Sequence, residues 1–187
     1  RSTFSNIHSD DIALAEEVGK YVKILCLSTY PVDEPRHGGQ HRLANIIAAF
    51  RRDGHEVRSA GVLGSAAYPP SPYFVQCPPY STLSRFIEEP SLMEDWAIAK
   101  LFANSNTYFL SLADLIDFTP DLILVEQPWL FRFAARFNQE RCGGRSILCY
   151  GSQNIEHRLK YDIIKPRFGE ERAKYAQNKV YSCEIDA

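Results

Sequence analysis

Four short, almost uninterrupted apolar runs punctuate the chain: YVKILCLS (21–28), EVRSAGVLG (56–64), DLILVEQPW (121–129) and SILCYG (146–151). Each is too short for most helices and rich in Val, Ile or Leu, the pattern of a strand buried on both faces. Between them the period changes. Leu43, Ile46, Ile47 and Phe50 recur at i, i+3, i+4 and i+7, one face of a helix that closes on RRDGH with Gly54 at its C-terminus. A second helical pattern spans Ser91 to Asp117 and carries Ile98, Leu101, Phe102, Phe109 and Leu112, with NSNT (104–107) as a break. Further helices are expected through Ala134 and Phe137 up to Gly143-Gly144, over 154–165, and over 170–187, where Ala173, Ala176 and Val180 share a face.

Residues 65–82 hold five prolines and read as a long irregular connection with one short strand at 73–76. Residues 1–20 are polar, contain one short helical stretch, DDIALAEEVG, and read as an N-terminal extension. Strands that alternate with helices require right-handed crossovers and a mostly parallel sheet. The expected fold is therefore α/β: a doubly wound, Rossmann-like domain over 21–187 with helices on both faces of the sheet.

Composition narrows the function classes. A net charge of −2 over 187 residues gives no basic excess, so nucleic acid is not an expected partner. No apolar run approaches the ~20 residues that cross a bilayer. The start, RSTFSNIHSDD, has no basic region followed by an apolar core and no initiator Met, which reads as a trimmed chain or a fragment without an intact secretory signal. Five cysteines without a CxxC pair point to packing thiols and a reducing compartment. Cys26 and Cys149 in particular lie inside apolar runs.

In an open parallel sheet ligands bind beyond the carboxyl ends of the strands. Three segments stand there: STYPVDEPRHGGQHR, EQPW and GSQNIEHR. Gly38 and Gly39 open a helix, where unpaired N–H groups and the dipole favour an anion that bare glycines let come close. A turn that needs positive φ is the other reading. The spacing fits neither GxGxxG nor GxxxxGK[ST]. His37 and His41 stand four apart like metal ligands, but no third ligand is evident and no metal is expected.

In their order, the first buried strand, the Gly-Gly loop, RRDGHEV, PDLILVEQPW and YGSQNIEHRLK are similar to the N-terminal, acceptor-side domain of a family-4 glycosyltransferase of the GT-B fold. The resemblance covers residues 22–187. It implies two Rossmann-like domains across a cleft, with a sugar nucleotide held by a C-terminal domain that this chain lacks. Transfer to an acceptor (glycan, lipid or small molecule) would retain anomeric configuration without a bound metal or other cofactor. It further implies a cytoplasmic location, with peripheral contact at the inner membrane face.

On that resemblance Gly38 and Gly39 face the donor diphosphate. Glu126 stands where many members have a histidine that touches the transferred sugar, and Gln153 replaces a histidine after the fifth strand. Arg42, Gln127, Gln153, Asn154 and Glu156 then fall on the acceptor side of the cleft. Ordinary readings compete with these roles. Glu126 reads equally as a surface carboxylate, Asn154 as a helix cap, Arg42, Glu156 and Arg158 as solvated helix charges, and His55 as a satisfied structural histidine.

A helix terminus contributes ~0.3–1 kcal/mol toward an anion, whereas micromolar binding needs about 8 kcal/mol. The glycine loop alone does not hold a ligand. Two other classes remain open: a non-catalytic Rossmann-like binding module, and another two-domain sugar-nucleotide enzyme such as an epimerase.

Overall fold

The computed structural model describes residues 21–64, 68–84, 94–185 and 187; the N-terminal extension and its short helical stretch lie outside them. Five strands build one sheet: β1 (Lys23–Ser28), β2 (Glu56–Leu63), β3 (Phe74–Gln76), β4 (Leu122–Val125) and β5 (Ile147–Tyr150). Their order is β3-β2-β1-β4-β5, and every neighbouring pair is parallel. Seven helices complete the described chain: α1 (Gly38–Arg52), α2 (Tyr80–Leu83), α3 (Glu94–Asn104), α4 (Asn106–Ala113), α5 (Phe131–Arg141), α6 (Glu156–Phe168) and α7 (Glu170–Ile185).

Alternation along the strands divides the core in two. Ile24, Cys26, Val57 and Leu124 point to one face, where α1 meets them with Leu43 and Ile47. Leu25, Leu27, Ala60, Val62, Ile123 and Val125 point to the other. There α3, α4, α5 and α7 supply Phe102, Phe109, Phe133, Phe137, Ala176 and Val180. This is the expected doubly wound α/β domain, with helices on both faces. From β1 the chain first moves outward to β2 and β3, then returns to the other side of β1 with β4 and β5. The reversal leaves a crevice at the carboxyl ends of β1 and β4, where such sheets bind ligands.

Several local expectations need correction. The fourth strand ends at Val125, with Glu126 and Gln127 between it and Pro128, which opens a 3-10 turn, Pro128–Leu130, that buries Trp129. The proline-rich connection contains the short helix α2 besides β3. The helical pattern from Ser91 does break at NSNT, with Ser105 between α3 and α4. Helix α6 passes through Pro166 and stops only at Gly169, which has φ of +85°. A proline in the last turn forfeits one N–H bond, and α6 tolerates that loss. Strand β5 is an edge strand. Ile147 and Cys149 are exposed on the α1 side of the sheet, so Cys149 is not a packing thiol. The other four cysteines are buried, as packing thiols would be, and no two of the five form a disulfide.

Candidate functional site

The loops after β1 and β4 are tied together at the crevice. Thr29, the first residue past β1, donates its hydroxyl to Gln127 Oε1 at 2.5 Å. Ser28 turns its hydroxyl to the carbonyl of Tyr30 at 2.6 Å, fixing the sharp exit of the strand. The loop then returns to α1 through Gln40, a buried amide. Its Oε1 accepts from the Arg36 N–H at 2.7 Å, and its Nε2 donates to the Pro31 carbonyl at 2.7 Å. Burying an amide costs free energy unless its hydrogen bonds are made, and both ends of Gln40 are satisfied here.

Glu126 stands at the centre of the site. It follows β4 directly, with no exposed surface. Its Oε2 accepts from Gln153 Nε2 at 2.8 Å and forms an ion pair with Arg42. Gln153 Nε2 also donates to the Tyr30 hydroxyl at 2.5 Å, and Arg42 reaches the Gly151 carbonyl at 3.3 Å. Glu126 Oε1 is buried with no partner among the described residues. It lies 2.7 Å from where a Cβ on residue 151 would stand, so only glycine fits there. One carboxylate thus binds α1, the β4 end and the β5 loop into a single cluster. Burial pushes the Tyr30 hydroxyl up to about 12, so it stays protonated and available as a donor.

Each expected site residue can now be placed. Gly38 and Gly39 are the first two residues of α1, behind an extended His37 whose side chain makes no capping bond. Neither has positive φ, so the turn reading fails. The two glycines differ. A Cβ on Gly38 would meet nothing within 4 Å, whereas one on Gly39 would come within 2.8 Å of Gln153 Oε1 and 3.0 Å of the Tyr30 hydroxyl. The chain itself, not a ligand, fills the space beside Gly39. Glu126 is neither a surface carboxylate nor open to the cleft, because its full burial leaves Oε2 only to Arg42 and Gln153.

Arg42 is not a solvated helix charge but the partner of Glu126, with its side chain about two-fifths exposed. Gln127 bonds Thr29, as described. Asn154 is not the cap of α6; Ile155 holds that position, and Asn154 Nδ2 donates to Glu156 Oε1 at 3.4 Å. The cap comes from α7, whose Glu184 carboxylate accepts from the N–H of Glu156 at 2.6 Å and pairs with the His157 ring. Glu156 is buried, not solvated, and burial raises its carboxyl above the ordinary value. Arg158 is exposed. His55 lies against Phe50, but its Nδ1 is buried without a partner among the described residues, so it is not the satisfied histidine expected.

Beside this cluster lies a cleft of about 230 Å3, whose lining includes Thr29, Tyr30, His37, Tyr68, Asp95 and Gln127. The His37 ring packs edge-on against Tyr30 at 5.0 Å, and its Nε2 is 3.1 Å from the Tyr68 hydroxyl. Asp95, in the first turn of α3, receives Lys160 of α6 at 2.9 Å, and the same ammonium stands over the Trp129 ring. Sequence reasoning missed Thr29, Tyr30, Tyr68, Asp95 and Glu184. Only Thr29 and Tyr30 had a signal, since both lie in the segment STYPVDEPRHGGQHR just past the first strand.

Among the described residues no group of three or more His, Cys, Asp or Glu could hold a metal ion, and no helix is long and apolar enough to cross a membrane. No protein-family model, curated protein or solved structure matches the chain.

Proposed function

We propose that this chain is the acceptor-side domain of a retaining glycosyltransferase of the GT-B type, resembling family 4, which moves a sugar from a nucleotide sugar to a hydroxylated acceptor. The donor is held by a second domain across the cleft, and no metal or cofactor takes part. The protein works in the cytoplasm, peripherally at the inner membrane face. The observation that supports this reading best is the convergence of the three loops on one point. Arg42 from the glycine helix, Glu126 from the β4 end and Gln153 from the β5 loop meet there, beside the open surface of Gly38.

In this reading Gly38 is the approach for the donor diphosphate, because nothing in the chain occupies the space in front of it. Arg42 adds a guanidinium whose orientation is set by a buried carboxylate. Glu126 positions Arg42 and Gln153 and does not touch the transferred sugar. That role changes the one the family resemblance implies for its position.

The test is a donor screen. The protein, with the second domain that the reading requires, is incubated with a panel of nucleotide sugars and acceptors, and released nucleoside diphosphate is measured. Acceptor-dependent release is expected for one donor; no release with any donor overturns the reading. A second reading, a non-catalytic Rossmann-like binding module, is favoured by the closure of Gly39 by Gln153 and Tyr30. It predicts ligand binding without turnover in the same screen.

A further inference from the structure

The cleft between the β1 loop, Tyr68 and the start of α3 has a chemistry that defines what it can hold. Its walls are aromatic: Tyr30, the His37 ring and Tyr68 lie along one side. Its polar groups are few and mixed. Gln127 Oε1 is taken by Thr29, which leaves the amide NH2 as a donor. Asp95 Oδ2 is taken by Lys160, and Oδ1 has no bond among the described residues. The His37–Tyr68 pair offers one further donor or acceptor.

Charge excludes two ligand classes. No arginine or lysine lines the cleft, so an anion finds no cation there, and its one carboxylate, Asp95, is already paired with Lys160, so a cation finds no unpaired anion. Size matches a single ring: about 230 Å3 is below the ~300–1,000 Å3 of pockets for whole drug-sized molecules, and a longer ligand would extend past the open mouth of the cleft. An uncharged ring that carries several hydroxyls fits all three constraints. Its C–H faces pack on the tyrosines, and its hydroxyls donate to Asp95 and accept from Gln127.

We propose that this cleft seats one neutral polyhydroxylated ring, a sugar or cyclitol unit of the acceptor, between Tyr30, Tyr68 and the Asp95 carboxylate. The proposal rests on the glycosyltransferase reading only for the word acceptor; the binding itself is independent of it. Asp95 supplies the hydroxyl acceptor, and Lys160 holds that carboxylate in place from α6.

Saturation-transfer difference NMR on the protein without any nucleotide sugar tests it. The probes are myo-inositol and methyl glucoside, with glucuronate and glucosamine as charged counterparts. Binding of at least one neutral probe, stronger than that of either charged one, is expected. Asp95→Asn, which keeps the shape but removes the charge, should weaken it about tenfold, in line with the loss of a charged hydrogen bond. Tyr68→Leu should weaken it too, and Asp114→Asn, a surface change far from the cleft, should leave it unchanged. Circular dichroism of each variant establishes that it is folded.

No neutral probe bound, or tighter binding of glucuronate, overturns the proposal, as does unchanged affinity in both folded cleft variants. Neutral binding together with a donor screen that releases nothing keeps this site and refutes the transferase. Donor release without neutral binding does the reverse.

Discussion

The Arg42 guanidinium is partly in water, yet the carboxylate that orients it, Glu126, is wholly out of water. The asymmetry makes the pair sensitive to which partner is removed. Removing Arg42 leaves a buried carboxylate with only the Gln153 amide, whereas Glu126→Gln leaves an arginine free to hydrate. Arg42→Ala should cost about 2–3 kcal/mol, below the ~3–5 kcal/mol of fully buried pairs because half of this one is solvated. Glu126→Gln should cost less, and the double variant should be more stable than Arg42→Ala alone. Urea denaturation of the three proteins measures this; additive losses would show that the two side chains do not interact.

Gly38 and Gly39 separate a ligand effect from a packing effect. Gly38→Ala meets nothing in the chain and gains helix propensity, so stability should be unchanged or rise by up to ~1 kcal/mol. If a diphosphate lies against that position, transfer activity must nevertheless fall. Gly39→Ala should displace Gln153, whose flexible end gives way at small cost, and should loosen its bonds to Glu126 and Tyr30. Thermal midpoints read beside the donor-screen activity distinguish the two. Full activity in Gly38→Ala would leave that surface without a function.

Gly151→Ala has no flexible escape. The new methyl would stand 2.7 Å from Glu126 Oε1, in a carboxylate already fixed by Arg42 and Gln153. Overpacking of this kind costs about 1–3 kcal/mol. Denaturant midpoints check the value, and Gly151→Ala as stable as the parent would mean that the carboxylate can move aside.

Glu156 gives a pH dependence with a definite sign. Burial raises its carboxyl above the ordinary 4.5 in the folded chain. Between those two values the folded state binds more protons than the unfolded one, so this group lowers stability as pH rises through the window. Above the folded value the loss is complete. Glu156→Gln should therefore stabilise the protein near neutral pH, and the gain should vanish below 4.5. Unfolding free energies across that range test it; an equal effect at both ends would remove the titration from the account.

Thiol chemistry checks the edge of the sheet. Cys149 is exposed, while Cys26 and Cys77 are buried and burial pushes each thiol up to about 12. A thiolate is the reactive form, so native labelling read by peptide mass spectrometry should modify Cys149 first and Cys26 last. Prior modification of Cys26 would contradict the placement of β1 in the core.

What the sequence revealed and what it hid follow from the range of the interactions. The β1 and β4 runs were legible because a strand covered on both faces is apolar at every position, and period alone reveals that. The β5 run looked the same, but periodicity does not tell how far a helix reaches across a sheet, so Ile147 and Cys149 were misjudged. The break at Ser105 was visible as local polarity. Glu126 was singled out by its position after a strand, yet its burial depends on Arg42, 84 residues away, and on Gln153. The cap of α6 was hidden for the same reason. Glu184 comes from another helix, whereas the neighbouring Asn154 had the right chemistry and the wrong geometry.

Gln40 gives the β1 loop a mechanical property. Its side chain ties the main chain at Pro31 and at Arg36 to the first turn of α1. The start of α1 and the loop before it are therefore held to each other by one side chain. Leu43 and Ile47 of the same helix lie on Ile24, Cys26, Val57 and Leu124, so a displacement of the loop would be opposed by the packing of α1 on the sheet.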